Sequence, residues 1–120
     1  MSGMHALPKQ KMMPGELDSL VQLGFSNDEI YKIVAPRRTL ARRRAANEQL
    51  SVVEADRVWR LKDIIEFAET VFGDAERAHL WLREPSKALN QAVPIELLET
   101  ETGANIVRDE IGRIRYGMFA

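Results

Sequence analysis

The chain has no cysteine, which excludes disulfide staples and thiolate chemistry and makes a reducing, cytoplasmic setting the default expectation. Histidine occurs only at His5 and His79, and neither has metal-ligand spacing to a second His or a Cys. No apolar run approaches the roughly 18 to 20 residues that a membrane span requires. The opening stretch carries Lys9 and Lys11 but no apolar h-region and no small-residue cleavage site, so it does not read as a signal peptide. Residues 1–15 are expected to form a flexible leader. There is no Gly-rich phosphate loop and no nucleophile elbow. Carboxylate neighbours such as Asp109 and Glu110 are expected on solvated faces, where nothing shifts a pKa toward general acid or base work. No catalytic residue, metal or cofactor is therefore assigned, and the chain reads as a binding protein.

What is present is helix signal. Hydrophobic residues make up 45% of the 120 residues and charged residues 29%, ordinary globular values that fit one domain with a small appended module. No segment alternates with period two for long enough to make a strand. Leu17, Leu20, Val21 and Leu23 recur at near-helical spacing before Gly24, which sits where a C-terminal cap belongs. Ser26 with Glu29 forms a capping-box signature opening a second helix that buries Ile30, Ile33 and Val34. Pro36 cannot lie inside that helix but suits the first turn of a third, about residues 36–46.

Ser51 with Glu54 repeats the capping box ahead of the longest helix, where Val58, Leu61, Ile65, Ala68 and Phe72 recur every three or four residues. Gly73 ends it and Asp74 caps the next, which stops before Pro85. Pro94 opens a short helix with Ile95, Leu97 and Leu98, which Gly103 is expected to break. A last helix carries Ala104, Val107, Ile111 and Ile114, and Gly117 is expected to release the tail. The expected fold is all-α, with a helix-turn-helix-like front piece joined by the long helix to a four-helix rear piece. The corresponding division is leader 1–15, helix-turn-helix region 16–50 and a second domain 51–120.

Charge is distributed unevenly along this series. Residues 1–50 hold eight Lys/Arg against five Asp/Glu, a balance of +3, while residues 51–120 stand at −4. Five of those eight bases lie between Arg37 and Arg44. Leu40 can face the core while Arg37, Arg38, Arg42, Arg43 and Arg44 spread over the opposite side of the third helix. Arginine suits phosphate and guanine edges because its planar fork makes two bonds at once. Contact with DNA through a helix-turn-helix and a plain solvated face both remain open at this point. The C-terminal end, with Tyr116, Met118 and Phe119, places bulky apolar groups where most chains are polar. Such groups either fold back on the core or insert into a partner, and general experience favours folding back. Trp59 and Trp81 read as core or interface anchors.

Seven strings in order carry a resemblance: Arg38-Thr39-Leu40-Ala41-Arg42-Arg43, Leu50 through Arg57, Val71-Phe72-Gly73-Asp74, Trp81 through Pro85, Pro94 through Leu98, Thr100 through Ala104, and Tyr116 through Ala120. Together they closely resemble the Xre/MbcA/ParS family of antitoxins over about residues 15–120. The resemblance implies a non-enzymatic antitoxin that binds a RES-domain toxin, an enzyme consuming NAD or transferring its ADP-ribose. It implies that the last residues obstruct the toxin's NAD pocket, making Arg113, Arg115, Tyr116, Gly117, Met118 and Phe119 the contact candidates. It further implies autorepression at an operator through Arg37, Arg38, Arg42, Arg43 and Arg44, and a homodimer within a toxin–antitoxin hetero-oligomer. A helix-turn-helix regulator without a toxin partner is the alternative. Asn90 and Gln91 stand where the family commonly has a glycine pair, and Val93 precedes Pro94 where it has an N-capping threonine, so the conformation of that loop is an open question.

Overall fold

The computed structural model describes residues 11–119, the last two by backbone alone. The described chain contains six α-helices: α1 (Glu16–Gln22), α2 (Asn27–Ile33), α3 (Arg37–Ala46), α4 (Val52–Phe72), α5 (Ala75–Arg83) and α6 (Glu101–Phe119). Two 3-10 segments, Lys87–Leu89 and Pro94–Glu99, lie between α5 and α6. The only β-type pairing among the described residues is one isolated bridge between Ser86 and Ala92. The all-α expectation holds, and each of the seven expected helical segments is present, the sixth as a 3-10 helix. The chain divides into two compact units, residues 1–59 and 60–120, with the division inside α4.

In the first unit, α1 closes with a Schellman motif: the Phe25 NH donates to the Leu20 carbonyl and the Gly24 NH to that of Val21, both at 3.0 Å. Gly24 has φ 107°, a conformation that costs glycine little, and Phe25 beyond it is almost fully buried with Leu20. Asn47 closes α3 in the same way at φ 50°, as the Glu48 NH reaches the Arg43 carbonyl at 2.9 Å. The capping box of Ser26 and Glu29 is made by both of its hydrogen bonds, at 2.9 and 3.1 Å. Pro36 sits at the N-cap of α3 rather than inside it. The guanidinium of Arg57, on α4, donates to the Val34 carbonyl at 3.1 Å and so satisfies an acceptor at the end of α2.

The expected leader divides in two. Its residues 1–10, with His5, lie outside the described residues. Residues 11–15 are held: Met12 and Pro14 are buried, and the Leu50 NH donates to the Met12 carbonyl at 2.8 Å.

In the second unit, α4 buries Leu61, Ile64, Ile65, Ala68 and Val71, and α5 buries Ala78 and Leu82. Asp74 caps α5 by accepting from the Glu76 NH at 2.8 Å. Trp81 stacks obliquely on Phe72 with ring centres 5.9 Å apart. Gly103 does not break a helix. It lies in the first turn of α6, where its NH donates to Thr100 Oγ1 at 2.9 Å. Its missing side chain is required there, because a Cβ would overlap the Leu97 carbonyl oxygen. Gly117 likewise lies inside α6, which continues to Phe119.

The loop before Pro94 settles the question of the absent glycine pair. Asn90 and Gln91 both take positive φ, 58° and 70°, and the Gln91 NH donates to the Ser86 carbonyl at 2.8 Å. The left-handed turn is kept by residues less suited to it. A non-glycine residue there carries about 1 to 2 kcal/mol of strain, against which glycine's greater unfolded-state freedom must be set. Gln91→Gly is therefore expected to stabilise the protein by up to about 1 kcal/mol, read as a higher midpoint in chemical denaturation. A lower midpoint would show that the Gln91 side chain contributes more than the strain it carries. Val93, the residue before Pro94, makes no side-chain cap.

Candidate nucleic-acid and protein interfaces

The five arginines of α3 do not form one uniform face. Leu40 is buried beneath them. Arg37, Arg38 and Arg42 are exposed, and among the described residues they enter no ion pair. Arg44 lies 3.1 Å from Asp18 on α1, an exposed pair of the kind that is worth little and exchanges readily with other partners.

Arg43 turns the other way. Its Nε donates to Glu54 Oε1 at 2.6 Å and its Nη2 to Glu54 Oε2 at 3.0 Å, while Nη1 reaches Glu48 at 3.1 Å. Glu54 is buried and also completes the capping box at the start of α4, accepting from the Ser51 NH at 2.9 Å. One carboxylate thus ties the end of α3 to the start of α4. Arg43 braces α3 from behind, and the exposed basic surface consists of Arg37, Arg38, Arg42 and Arg44. A run of like charges gives no sign of this, because the partner lies eleven residues further on.

Burial by itself would raise the pKa of Glu54. The hydrogen bond from Arg43 and the one from the Ser51 backbone outweigh it and hold the carboxyl below its ordinary value of 4.5. The Arg43 hydrogen bond to the same carboxylate raises the arginine's own pKa. Because Glu54 is more acidic in the folded than in the unfolded chain, its stabilising contribution is full above the unfolded value. It is lost as the pH falls through the lowered folded value. At pH 7 Glu54→Gln is expected to lower the thermal midpoint by several degrees, and the gap to the wild type should narrow as the pH is taken toward 3. A gap independent of pH would mean that the carboxylate's charge contributes nothing.

At the other end of the chain, α6 presents Ile106, Asp109, Arg113 and Tyr116 at alternating spacings of three and four on an exposed face. Arg113 donates through Nε to the buried Glu110 at 2.9 Å, with most of the arginine side chain in solvent. Arg115 and Gly117 are exposed as well. Tyr116 is 77% exposed, which corrects the general expectation that this ring folds back on the core. Met118 and Phe119 fall within the helix, their side chains lying outside the described part. Toward the start of α6 Arg108 pairs with Asp63 at 2.8 Å, and Arg60 donates to the Leu98 carbonyl just before the helix at 3.2 Å. The exposed end thus continues a helix whose earlier turns are buried through Ala104, Val107 and Ile111.

His79 has a local role. Its Nδ1 lies 2.8 Å from Arg83 Nη1, and its Nε2 lies 3.8 Å from Glu69. Among the described residues no three His, Asp or Glu side chains form a metal-binding group, and no helix is long and apolar enough to cross a membrane. Trp81 is half-buried, whereas Trp59, with Val52 and Val53, lies on the exposed side of α4.

A tight pair of short helices followed by an arginine-bearing third, with a second helical unit beyond it, defines a helix-turn-helix protein with an appended helical domain. Comparison with known proteins narrows the class. Residues 16–61 match the antitoxin Xre-like helix-turn-helix domain, and residues 67–117 match the antitoxin Xre/MbcA/ParS C-terminal toxin-binding domain. The chain is 40% identical over 86 residues to an antitoxin Xre of Yersinia enterocolitica, covering 71% of this chain and 58% of that one. It is 34% identical over 84 residues to an antitoxin Xre of Pseudomonas putida, covering 70% and 53%. A Prs ADP-ribosylating antitoxin of a Sphingobium species is 35% identical over 91 residues, covering 68% and 57%. The chain belongs to the Xre/MbcA/ParS family of type II antitoxins. It spans a little over half the length of these relatives.

Proposed function

We propose that this chain is the antitoxin of a type II pair whose toxin is a RES-domain enzyme acting on NAD, and that it inhibits by setting the end of α6 into the toxin's NAD pocket. The observation that carries this reading is the exposed, helical end of the chain, with Tyr116 in solvent and Arg113 and Arg115 beside it. A segment whose backbone is already helical loses little further backbone freedom on docking, and an aromatic group that fills a pocket is the commonest kind of binding anchor. Arginines flanking it favour an acidic cleft and speed the encounter. Gly117, Met118 and Phe119 complete the contact segment. The words ADP-ribosylating in the name of the Sphingobium relative fit a toxin that handles NAD. In this reading the antitoxin carries no chemistry of its own and acts in the cytoplasm.

The same chain represses its own operon. Arg37, Arg38 and Arg42 lie exposed on the third helix, where a recognition helix presents its side chains to the major groove, and Arg43 braces that helix. A homodimer places two such helices on two half-sites, and the exposed Val52, Val53 and Trp59 of α4 offer apolar area for it. Co-expression with a RES-domain protein encoded beside this chain tests the proposal. A stable co-purifying complex is expected. A folded helical protein that forms no complex would leave the helix-turn-helix regulator as the better reading.

A further inference from the structure

Between α1, α2 and α3 the first unit has a notch of about 240 Å³. Leu17 and Leu40 form part of its floor, and Asn27, Tyr31, Arg37 and Arg44 line its polar side. None of the residues lining it is acidic. The polar side thus offers two guanidinium groups, a carboxamide and a phenol, all able to donate hydrogen bonds. The volume falls below the roughly 300 to 1,000 Å³ of sites that enclose drug-sized ligands or cofactors. It suits a single phosphate group with part of its sugar.

The notch adjoins the exposed arginines of α3. Arg37 belongs to both, whereas Arg38 and Arg42 lie on the helix outside it. Among the described residues Arg44 is held only by its exposed pair with Asp18, so a phosphate oxygen can replace that carboxylate at little cost. We propose that this notch is a seat for one backbone phosphate of duplex DNA, formed by Asn27, Tyr31 and Arg44 with Arg37 at its edge. The division of labour follows. The notch fixes where α3 lies on the duplex, while Arg38 and Arg42 reach the groove. Phosphate contacts set register and carry no sequence information, whereas base-edge contacts specify. Asn27 and Tyr31 thereby join the interface, although neither lies in the arginine run. This inference rests on the DNA-binding reading of the first unit.

The test is a salt series of fluorescence anisotropy titrations on two duplexes of equal length, one from the region upstream of this chain's own gene and one of scrambled sequence. Arg44→Gln is expected to weaken both duplexes by the same factor, about three- to tenfold, and to lower the salt slope by about 0.9. Tyr31→Phe, which removes only a hydroxyl, should weaken both equally and by less. Arg42→Ala should weaken the upstream duplex more than the scrambled one. Thermal midpoints of the variants identify any that lose binding by unfolding, and for such a variant Tyr31→Phe supplies the reading.

If the wild type binds DNA and both Arg44→Gln and Tyr31→Phe leave affinity and slope unchanged, the notch is not a phosphate seat and the DNA-binding reading survives. If the wild type binds neither duplex even at low salt, both fail together. Adenosine monophosphate serves as a separate probe. Micromolar binding of it that Arg44→Gln abolishes, with DNA affinity unaltered, would assign the notch to a small phosphate ligand and overturn the DNA-backbone proposal.

Discussion

Removing Tyr116 through Ala120 is expected to abolish inhibition of the toxin while leaving DNA binding intact. The deletion ends α6 after Arg115, beyond the buried Ala104, Val107 and Ile111 that seat the helix. Folding of both units should therefore survive, and a thermal midpoint within a few degrees of the full chain checks this. Tyr116→Ala alone should cost about 2 kcal/mol or more of binding, the size of a central anchor, which is about a 30-fold loss of affinity. Inhibition of toxin activity and a gel shift on the upstream duplex read the two functions separately. Equal loss of both activities in a folded truncation would contradict the assignment of toxin binding to this end.

The second large effect is expected at Gly103. A Cβ at this position meets the Leu97 carbonyl oxygen and carbon, which are backbone atoms that no rotamer change can move aside. Either the 3-10 segment Pro94–Glu99 shifts or the first turn of α6 unwinds, and Ile95 and Leu98 are buried in that segment. Gly103→Ala is expected to cost about 3 kcal/mol, at the upper end for a single substitution and a large share of the roughly 5 to 15 kcal/mol that holds a typical domain together. Gly112→Ala is the control, since a Cβ there meets nothing within 4 Å and alanine is the better helix former. Urea denaturation should show a large fall in midpoint for the first and none for the second. Equal small effects would mean that the segment before α6 yields freely.

The two glycines also show where the sequence was legible and where it was not. Helix starts were readable from local chemistry, because a capping box needs only Ser26 with Glu29 or Ser51 with Glu54, three residues apart. The core faces were readable for a similar reason, since helical periodicity places Leu61, Ile65 and Ala68 on one side whatever the tertiary structure. Gly103 reads as a breaker in the sequence because its purpose, close approach to Leu97, is a tertiary fact. Thr100, which accepts from its NH, gave the available signal: a hydroxyl residue directly before the acidic first turn of a helix. The buried place of Phe25 has its signal in Gly24 before it, since a Schellman motif puts an apolar residue there.

The candidate sites were legible as regions more than as residues. An arginine run marks a basic helix, but the run itself does not distinguish the exposed Arg42 from Arg43, which Glu54 holds. Asn27 and Tyr31 carry no formal charge and belong to α2, so only the folded arrangement brings them beside Arg37 and Arg44. At the C-terminus, terminal aromatics in general suggested folding back and the family resemblance suggested docking. In the structure α6 continues past Gly117 and leaves Tyr116 in solvent, so this ring does not fold back on the core.

The most direct measurement is NAD consumption by a purified RES-domain protein, where one is encoded beside this chain, followed with and without the chain added. If the chain is its antitoxin, NAD loss stops when the folded chain is in excess and resumes when the chain lacking Tyr116 through Ala120 is used instead. Undiminished NAD loss in the presence of excess folded chain would contradict the proposed function.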